Sequence, residues 1–443
     1  MVVATTRVAT TMISLPFQTR STERMTDITT IVRLLVILLL IALIVILVMR
    51  RLAIPYTLGL VIVGLLISIF TNALNVLPNL HLDPSLVLFV FLPALLFEGS
   101  WTIETAQLRK NWFHIFLLIG PALLLELLLI AVPLNFLTEL NWGTAFLLGA
   151  ILSPTDPVAV LGLFRQLKVN VGLSTIIEGE SLLNDGVSGA FYQIFLALVL
   201  LSAHHQTISA GQAGLNGIGM FLLEAGGGTA IGFISGYAVS QLVKIIDEPL
   251  IETTITIVTA YGVYLLADAL HTSGILAVIF AALVLGSYGR RIGMTERTRE
   301  AVDSFWSVIA FVANALLFLL VGIQLNPLAF LASPTALSLL LTAGIAIIAV
   351  LLSRLVVVLM LPSLTQPLIP ATLWSFVPRS WRVVIFWSGL RGALSMAFVL
   401  ALPLDVPSRN LLIFATYAVV FFTLLVQGFS LRWILRRLPA VSE

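Results

Sequence analysis

Apolar stretches long enough to cross a lipid bilayer recur along almost the whole sequence. Of the 443 residues, 59% are hydrophobic and 10% are charged, whereas a soluble domain carries about 25% charged residues. The stretches exceed the length of a transmembrane β-strand and lack its alternation of apolar and polar residues. The sequence therefore predicts an all-α polytopic membrane protein.

We predict thirteen transmembrane helices from these stretches. Arginine and lysine residues then fall in alternate connections, from Arg50 and Arg51 after the first span to Arg436 and Arg437 after the last. By the positive-inside rule, this alternation predicts that the C-terminus is cytoplasmic. We expect the protein in the cell membrane. The predicted spans cover approximately residues 28–49, 52–71, 84–107, 112–134, 143–165, 171–201, 214–243, 251–267, 273–288, 302–322, 335–360, 381–403 and 408–433.

The two ends of the chain fall outside the predicted transmembrane domain, residues 28–437. Residues 1–27 are rich in threonine and arginine and lack the compact apolar core of a secretory signal, which predicts a disordered leader. Residues 438–443 are predicted to be a short cytoplasmic tail.

The chain has no cysteine, and its five histidines show no metal-ligand spacing. Thiol chemistry is therefore excluded, and neither a cofactor nor a nucleic-acid partner is expected.

Two of the predicted spans are interrupted at similar depth. The fifth contains Ser153-Pro154-Thr155-Asp156-Pro157, where two prolines remove hydrogen-bond donors and disfavour helix for the residue before each. The twelfth contains Gly389-Leu390-Arg391-Gly392. Non-helical backbone is tolerated at membrane depth only where it is buried in protein or lines a cavity. Because the two interruptions are seven spans apart, we predict two inverted six-helix repeats with a transport site between them.

The sixth span carries the densest group of polar residues in the apolar sequence. It contains Gly179-Glu180-Ser181-Leu182-Leu183-Asn184-Asp185. Helical spacing places Glu180 one turn from Asn184, and Ser181 one turn from Asp185. A charged group at bilayer depth costs at least a few kcal/mol and marks a functional site by default. The structural alternative is a buried polar cluster that only holds helices together.

These interrupted and polar spans resemble the cation/proton antiporter family, in its sodium–proton exchanger branch of the NhaP and NHE type. The resemblance implies a thirteen-helix NhaA-like fold with inverted repeats, a homodimer, and exchange of sodium for protons by elevator-like alternating access. It extends over about residues 28–437 and rests on Phe97-Glu98-Gly99, Ser153-Pro154-Thr155-Asp156-Pro157-Val158, Gly179-Glu180-Ser181-Leu182-Leu183-Asn184-Asp185-Gly186, Arg354 and Gly389-Leu390-Arg391-Gly392-Ala393.

The resemblance also implies a role for individual residues. Asp185 would bind either the cation or the proton, because a carboxylate taken out of water needs one or the other, and sodium prefers oxygen ligands. Glu98, the Ser181 hydroxyl and the oxygens of Thr155 would complete the shell around the ion. In addition, Glu180 would form a structural ion pair with Arg354, and Asp156 and Arg391 would neutralise opposing half-helix ends at the interruptions.

We predict that Asn184 belongs to the same ion-binding and proton-exchanging group, and its chemistry bears on the stoichiometry. Relatives with a second aspartate at this position are electrogenic, and relatives with asparagine are electroneutral. One carboxylate that carries either a proton or a sodium ion has the same charge on both strokes. We therefore expect 1:1 exchange, unless Glu98 adds a second proton.

Other functions fit parts of the same pattern. Potassium or lithium could replace sodium, because all three are monovalent cations that prefer oxygen ligands. Asp156 and Asp185 could form the dyad of an intramembrane aspartyl protease, but Glu180 and Arg354 would then have no role. A channel would need a continuous polar lining rather than polar residues at one depth.

A further feature, the small-residue ridge of Gly228, Gly232 and Gly236, permits close helix contact within the protomer or between protomers.

Overall fold

The computed structural model describes residues 28–52, 55–74, 84–203, 217–324, 335–365 and 378–438. The predicted leader, and residues 439–443 of the predicted tail, lie outside this part of the chain. The helices are α1 (Ile28–Leu52), α2 (Tyr56–Leu74), α3 (84–102), α4 (Thr105–Leu137), α5 (Trp142–Leu152), α6 (Val158–Leu167), α7 (Val171–Ala203), α8 (Gly217–Val243), α9 (Pro249–Ala269), α10 (Gly274–Ile292), α11 (Glu296–Gln324), α12 (Ala336–Thr365), α13 (Arg379–Trp387), α14 (Ala393–Leu400) and α15 (Arg409–Arg437).

The prediction of an all-α polytopic membrane protein is confirmed. In the described part of the chain, nine helices are long and apolar enough to cross a membrane, and α2, α3 and α5 are shorter apolar helices. The same part contains no β-strand. The count of thirteen crossings and the inverted repeat remain predictions.

The helices pack as two groups. Helices α1, α2, α3, α8, α9, α10 and α11 pack mainly against one another and form the first helix group. Helices α4, α5, α7, α12, α13, α14 and α15, joined by the short α6, form the second. The groups meet along a narrower set of contacts, chiefly of α7 with α3 and α10, and of α11 with α14.

Small residues set the closest helix contacts of the first group. A Cβ atom at Gly64 of α2 or at Gly322 of α11 would overlap the backbone of the other helix. The glycine ridge of α8 packs in the same way within the protomer. A methyl group on any of its three glycines would overlap a carbonyl oxygen of Ser273, Ala277 or Ala281, at the start of α10 and along it.

Several membrane helices contain a single π-helical turn, and π-turns occur frequently at functional sites. In α4 the turn Leu118–Ala122 contains Pro121, which cannot donate the regular helical hydrogen bond. In α15 the turn is Thr423–Gln427. The Thr423 hydroxyl accepts a hydrogen bond from the backbone N–H of Arg391 at 3.1 Å. This π-turn therefore lies against the interruption between α13 and α14.

Candidate ion-binding site

The two interrupted helices meet at their breaks. The chain leaves α5 at Leu152 and enters α6 at Val158, and it leaves α13 at Trp387 and enters α14 at Ala393. The backbone N–H of Asp156 donates to the carbonyl of Leu390 at 2.8 Å, which joins the two non-helical segments. We call residues 153–157 together with residues 388–392 the crossing.

Asp156 lies where two helices begin. Its carboxylate accepts hydrogen bonds from the backbone N–H of Val158, at 3.0 Å, and of Ala393. These are the first residues of α6 and α14, so the negative charge faces the positive ends of two helix dipoles. The carboxylate lies so close to Gly392 that a Cβ atom there would overlap it. Glycine at this position is what lets the two segments approach.

Arg391 binds the carbonyl oxygens at the C-terminal end of α5, on the other side of the crossing from Asp156. Its guanidinium donates to the carbonyl oxygens of Ser153 and Pro154, which follow the C-terminal end of α5. It also forms an ion pair with Glu126 of α4. The Arg391 side chain is 0% exposed, and a buried guanidinium needs such partners for its charge and its donors. Asp156 thus neutralises the N-terminal ends of α6 and α14, and Arg391 neutralises the C-terminal end of α5.

Helix α7 runs past the crossing and directs its polar side chains to different neighbours. Asn184 donates to the Ser153 carbonyl at 2.8 Å, and its amide oxygen accepts from Ser188 at 2.9 Å. The Ser153 hydroxyl donates to the Ser188 hydroxyl at 2.8 Å. The structure therefore does not bring Asn184 to the ion ligands predicted beside it. Its amide instead stabilises the crossing through the hydrogen bond to Ser153.

A cavity of about 360 Å³ lies between the two helix groups, beside the crossing. The second group contributes Thr155, Ser181 and Asp185 to its lining, and α3 of the first group contributes Glu98. The structure thus brings together the four residues predicted to surround the ion. The remaining charged residues of the lining are Asp156, Glu178 and Arg165, so carboxylates outnumber cations in the cavity.

Asp185 has a buried carboxylate oxygen that faces no partner. Its Oδ1 makes no hydrogen bond to any described residue. The neighbouring Ser181 hydroxyl donates to the Thr155 carbonyl. Most buried polar atoms in proteins are hydrogen-bonded, and leaving a carboxylate oxygen unpaired is costly. A proton or a cation at Asp185 would remove that cost.

The ligand types present suit an alkali cation. Within the described residues, no group of three His, Asp or Glu side chains could hold a metal ion. A cation at the cavity would therefore take carboxylate oxygen from Asp185 and Glu98, and hydroxyl or carbonyl oxygen from Ser181 and Thr155. Such a set of hard oxygen ligands suits ions such as Na⁺.

The opposite side of α7 carries a buried ion pair. Arg354 of α12 binds Glu180 through both guanidinium Nη atoms, with Nη2 and Oε2 at 2.9 Å. Arg354 also donates to the Ile385 carbonyl of α13 at 3.3 Å. The two side chains of the pair are 5% and 3% exposed. The pair thus ties α7, α12 and α13 together within the second helix group, away from the cavity.

Comparison with known proteins identifies the family. The sequence matches the family described as "Sodium/hydrogen exchanger, transmembrane" over residues 36–437. The chain belongs to the sodium/hydrogen exchanger family. This family consists of transporters rather than enzymes, so the alternative of an intramembrane aspartyl protease is wrong.

Individual members of the family resemble this exchanger over most of its length. It is 37% identical over 390 residues to the low-affinity Na⁺/H⁺ antiporter NhaS1 of Synechocystis sp., covering 88% of this chain and 71% of the relative. It is 35% identical over 416 residues to the Na⁺/H⁺ antiporter NhaP of Pseudomonas aeruginosa, covering 88% and 93%. The fold matches that of the sodium proton antiporter MjNhaP1 from Methanocaldococcus jannaschii, with a TM-score of 0.73 at 18% identity, covering 93% and 99%.

Several residues of the candidate site were not predicted from the sequence. Glu126, the partner of Arg391, is the one charged residue in the largely apolar α4 segment Leu123–Leu137. A partner for Arg391 could have been sought there, since an intramembrane charge is rarely left unpaired. Glu178, Arg165 and Tyr56 also line the cavity. Only Glu178 carried a signal in the sequence, because helical spacing places it near Ser181 and Asp185.

Proposed function

We propose that the protein is a secondary active transporter that exchanges Na⁺ for H⁺ across a membrane. The proposal rests on Asp185, which lines a cavity between the two helix groups and has a buried carboxylate oxygen without a hydrogen-bond partner among the described residues. If proton and sodium compete for this carboxylate, neither leaves without the other arriving, and this competition couples the two gradients. The names of the related antiporters NhaS1 and NhaP support sodium and protons as the two substrates.

Alternating access is proposed to move the second helix group against the first. Asp185, Thr155 and Ser181 belong to the second group and Glu98 belongs to the first. The crossing is held by hydrogen bonds and ion pairs inside the second group. A sliding motion could therefore carry Asp185 and its neighbours as one body while their position relative to Glu98 changes.

Three further features belong to this proposal. The carrier is a homodimer, its C-terminus faces the cytoplasm, and Li⁺ is accepted in place of Na⁺. Exchange of K⁺ for H⁺ is the alternative, since the oxygen ligands of the cavity do not discriminate strongly between alkali ions. Cross-linking of the purified protein and protease access to a C-terminal tag in oriented vesicles would test the first two.

The substrate is tested by dissipation of a pH gradient in proteoliposomes. We expect Na⁺ and Li⁺ to collapse an imposed gradient, while choline at equal ionic strength has no effect. K⁺ alone collapsing the gradient would establish the potassium alternative. A gradient that survives all three alkali ions, in vesicles containing folded protein, would contradict cation/proton exchange.

The stoichiometry is expected to be 1:1. Asn184 is neutral and hydrogen-bonded to Ser153 and Ser188, so of the neighbouring residues 184 and 185 only Asp185 offers a carboxylate to the ion. One negative charge then carries either one proton or one Na⁺, and the cycle moves no net charge.

The test is the rate of exchange at clamped membrane potential. Provided the ion series shows no K⁺ transport, valinomycin and K⁺ gradients can hold the vesicles at zero or at a negative potential. Equal rates at both potentials are expected. A rate that follows the potential, or a current on a Na⁺ jump, would mean that a second group titrates, and Glu98 would be examined first.

A further inference from the structure

Glu178 lines the cavity but has no part in the exchange proposed at Asp185. Glu178, Ser181 and Asp185 follow one another on α7 at spacings of three and four residues, which places them along one face of the helix. All three side chains line the same cavity. Seven residues of helix put Asp185 about 10 Å beyond Glu178 along the α7 axis.

We place the mouth of the cavity at its Glu178 end, because the exposed Arg165 acts electrostatically on Glu178 and not on Asp185. Among the lining residues, Arg165 and Ser307 are exposed, whereas Thr155 and Ser181 are buried. Glu178 itself is half-buried. A cation that enters from solvent would therefore pass Glu178 before it reaches the buried Asp185 oxygen.

The charged side chains at the mouth, Glu178 and Arg165, form no hydrogen bond or ion pair with each other or with any other described residue. The positive charge of Arg165 is nevertheless close enough to act electrostatically on both Glu178 and Glu98. Charges that stay unpaired at the opening of a low-dielectric cavity shape the local concentration of ions.

We propose that Glu178 is an affinity-determining residue at the cavity mouth: it concentrates alkali cations ahead of Asp185, and Arg165 opposes it. This inference rests on the proposed function, and it adds a step in which the cation is held loosely before binding at Asp185. If Glu178 and Arg165 were instead a structural pair, removing either one would harm the protein in the same way.

The opposite signs of two substitutions provide the test. In Na⁺-driven exchange by proteoliposomes at low ionic strength, E178Q should raise the half-saturating Na⁺ concentration roughly three- to tenfold. R165Q should lower it, and E178D should stay near the parent. The maximal rate should change little. Raising the ionic strength with choline chloride should shrink both shifts, because the mouth is open to solvent.

A control variant and a binding measurement separate the proposed effect from a general effect of the substitutions. The control is E104Q, which makes the same chemical change at an exposed glutamate outside the cavity lining and should leave the half-saturation unchanged. The Na⁺ concentration that half-maximally raises the melting temperature in detergent should show the same two shifts without requiring transport.

Either of two results would overturn the inference. One is an unchanged half-saturation in E178Q by both measurements. The other is a shift of E178Q and R165Q in the same direction. Failure of the parent protein itself to couple Na⁺ to protons is a different result, and it would reject the proposed function.

Discussion

Replacing Asp185 with asparagine is expected to abolish Na⁺-driven proton movement while the protein remains folded. The substitution keeps the size and shape of the side chain but removes the charge that a proton or a Na⁺ ion would neutralise. The buried Oδ1 atom of Asp185 has no hydrogen-bond partner to lose among the described residues. The amide can therefore occupy the site without breaking a contact, whereas exchange loses its binding group.

The measurement combines transport with Na⁺ binding. D185N proteoliposomes should not dissipate a pH gradient on addition of Na⁺, and Na⁺ should no longer raise the melting temperature of the detergent-solubilised protein. In the parent, this stabilisation by Na⁺ should grow as the pH rises, because fewer protons then compete for the same carboxylate. The pH dependence should disappear with Asp185.

The matched control is D405N, the same change at an exposed aspartate outside the cavity lining. It should transport Na⁺ and respond to pH like the parent. Sodium-driven proton movement by well-folded D185N would show that the exchanging carboxylate lies elsewhere. Glu98, Asp156 and Glu178 would then be the remaining candidates among the half-buried acids of the cavity.

The sequence predicts those features of the fold that depend on local chemistry. Apolar length predicts the membrane helices, and the prolines around Thr155 and the glycines around Arg391 predict the two interruptions. Both are local effects, since a missing donor or a missing Cβ acts within a few residues. The arrangement of the helices into two groups depends on contacts between distant segments, which no local pattern contains.

The polar segment of α7 shows the same limit at the site. Helical spacing predicts correctly that its polar side chains lie close together, but their direction depends on the neighbouring helices. Asp185 faces the cavity, Asn184 faces the crossing, and Glu180 faces Arg354. Glu126 was missed for a related reason. Its partner lies 265 residues away along the chain.

Breaking the Glu180–Arg354 pair is expected to destabilise the protein more than any change at Asp185. Removal of one partner leaves a buried charge without compensation, which typically costs about 3–5 kcal/mol. Loss of Arg354 also removes one of two hydrogen bonds to the Ile385 carbonyl near the end of α13, which accepts from Arg354 at 3.3 Å and from the Ser388 hydroxyl at 3.1 Å. E180A and R354A should therefore melt well below the parent, and D185N should melt close to it.

A surface pair in the same chain provides the control. Arg290 and Asp303 form an ion pair at 2.6 Å, but their side chains are 32% and 39% exposed. Exposed pairs contribute about 0–1 kcal/mol, so R290Q should shift the melting temperature far less than R354A. Combining E180A with R354A removes both charges at once, and the double variant should lose less stability than the sum of the single losses.

The double variant also separates stability from transport. Its charges lie away from the cavity, so whatever folded protein remains should still bind Na⁺ at Asp185 and show Na⁺-dependent stabilisation. If both single variants melt with the parent, the buried pair does not hold α7, α12 and α13 together. If instead the double variant is folded but insensitive to Na⁺, Glu180 or Arg354 acts on the ion. The division of α7 into an ion-binding face and a structural face would then be wrong.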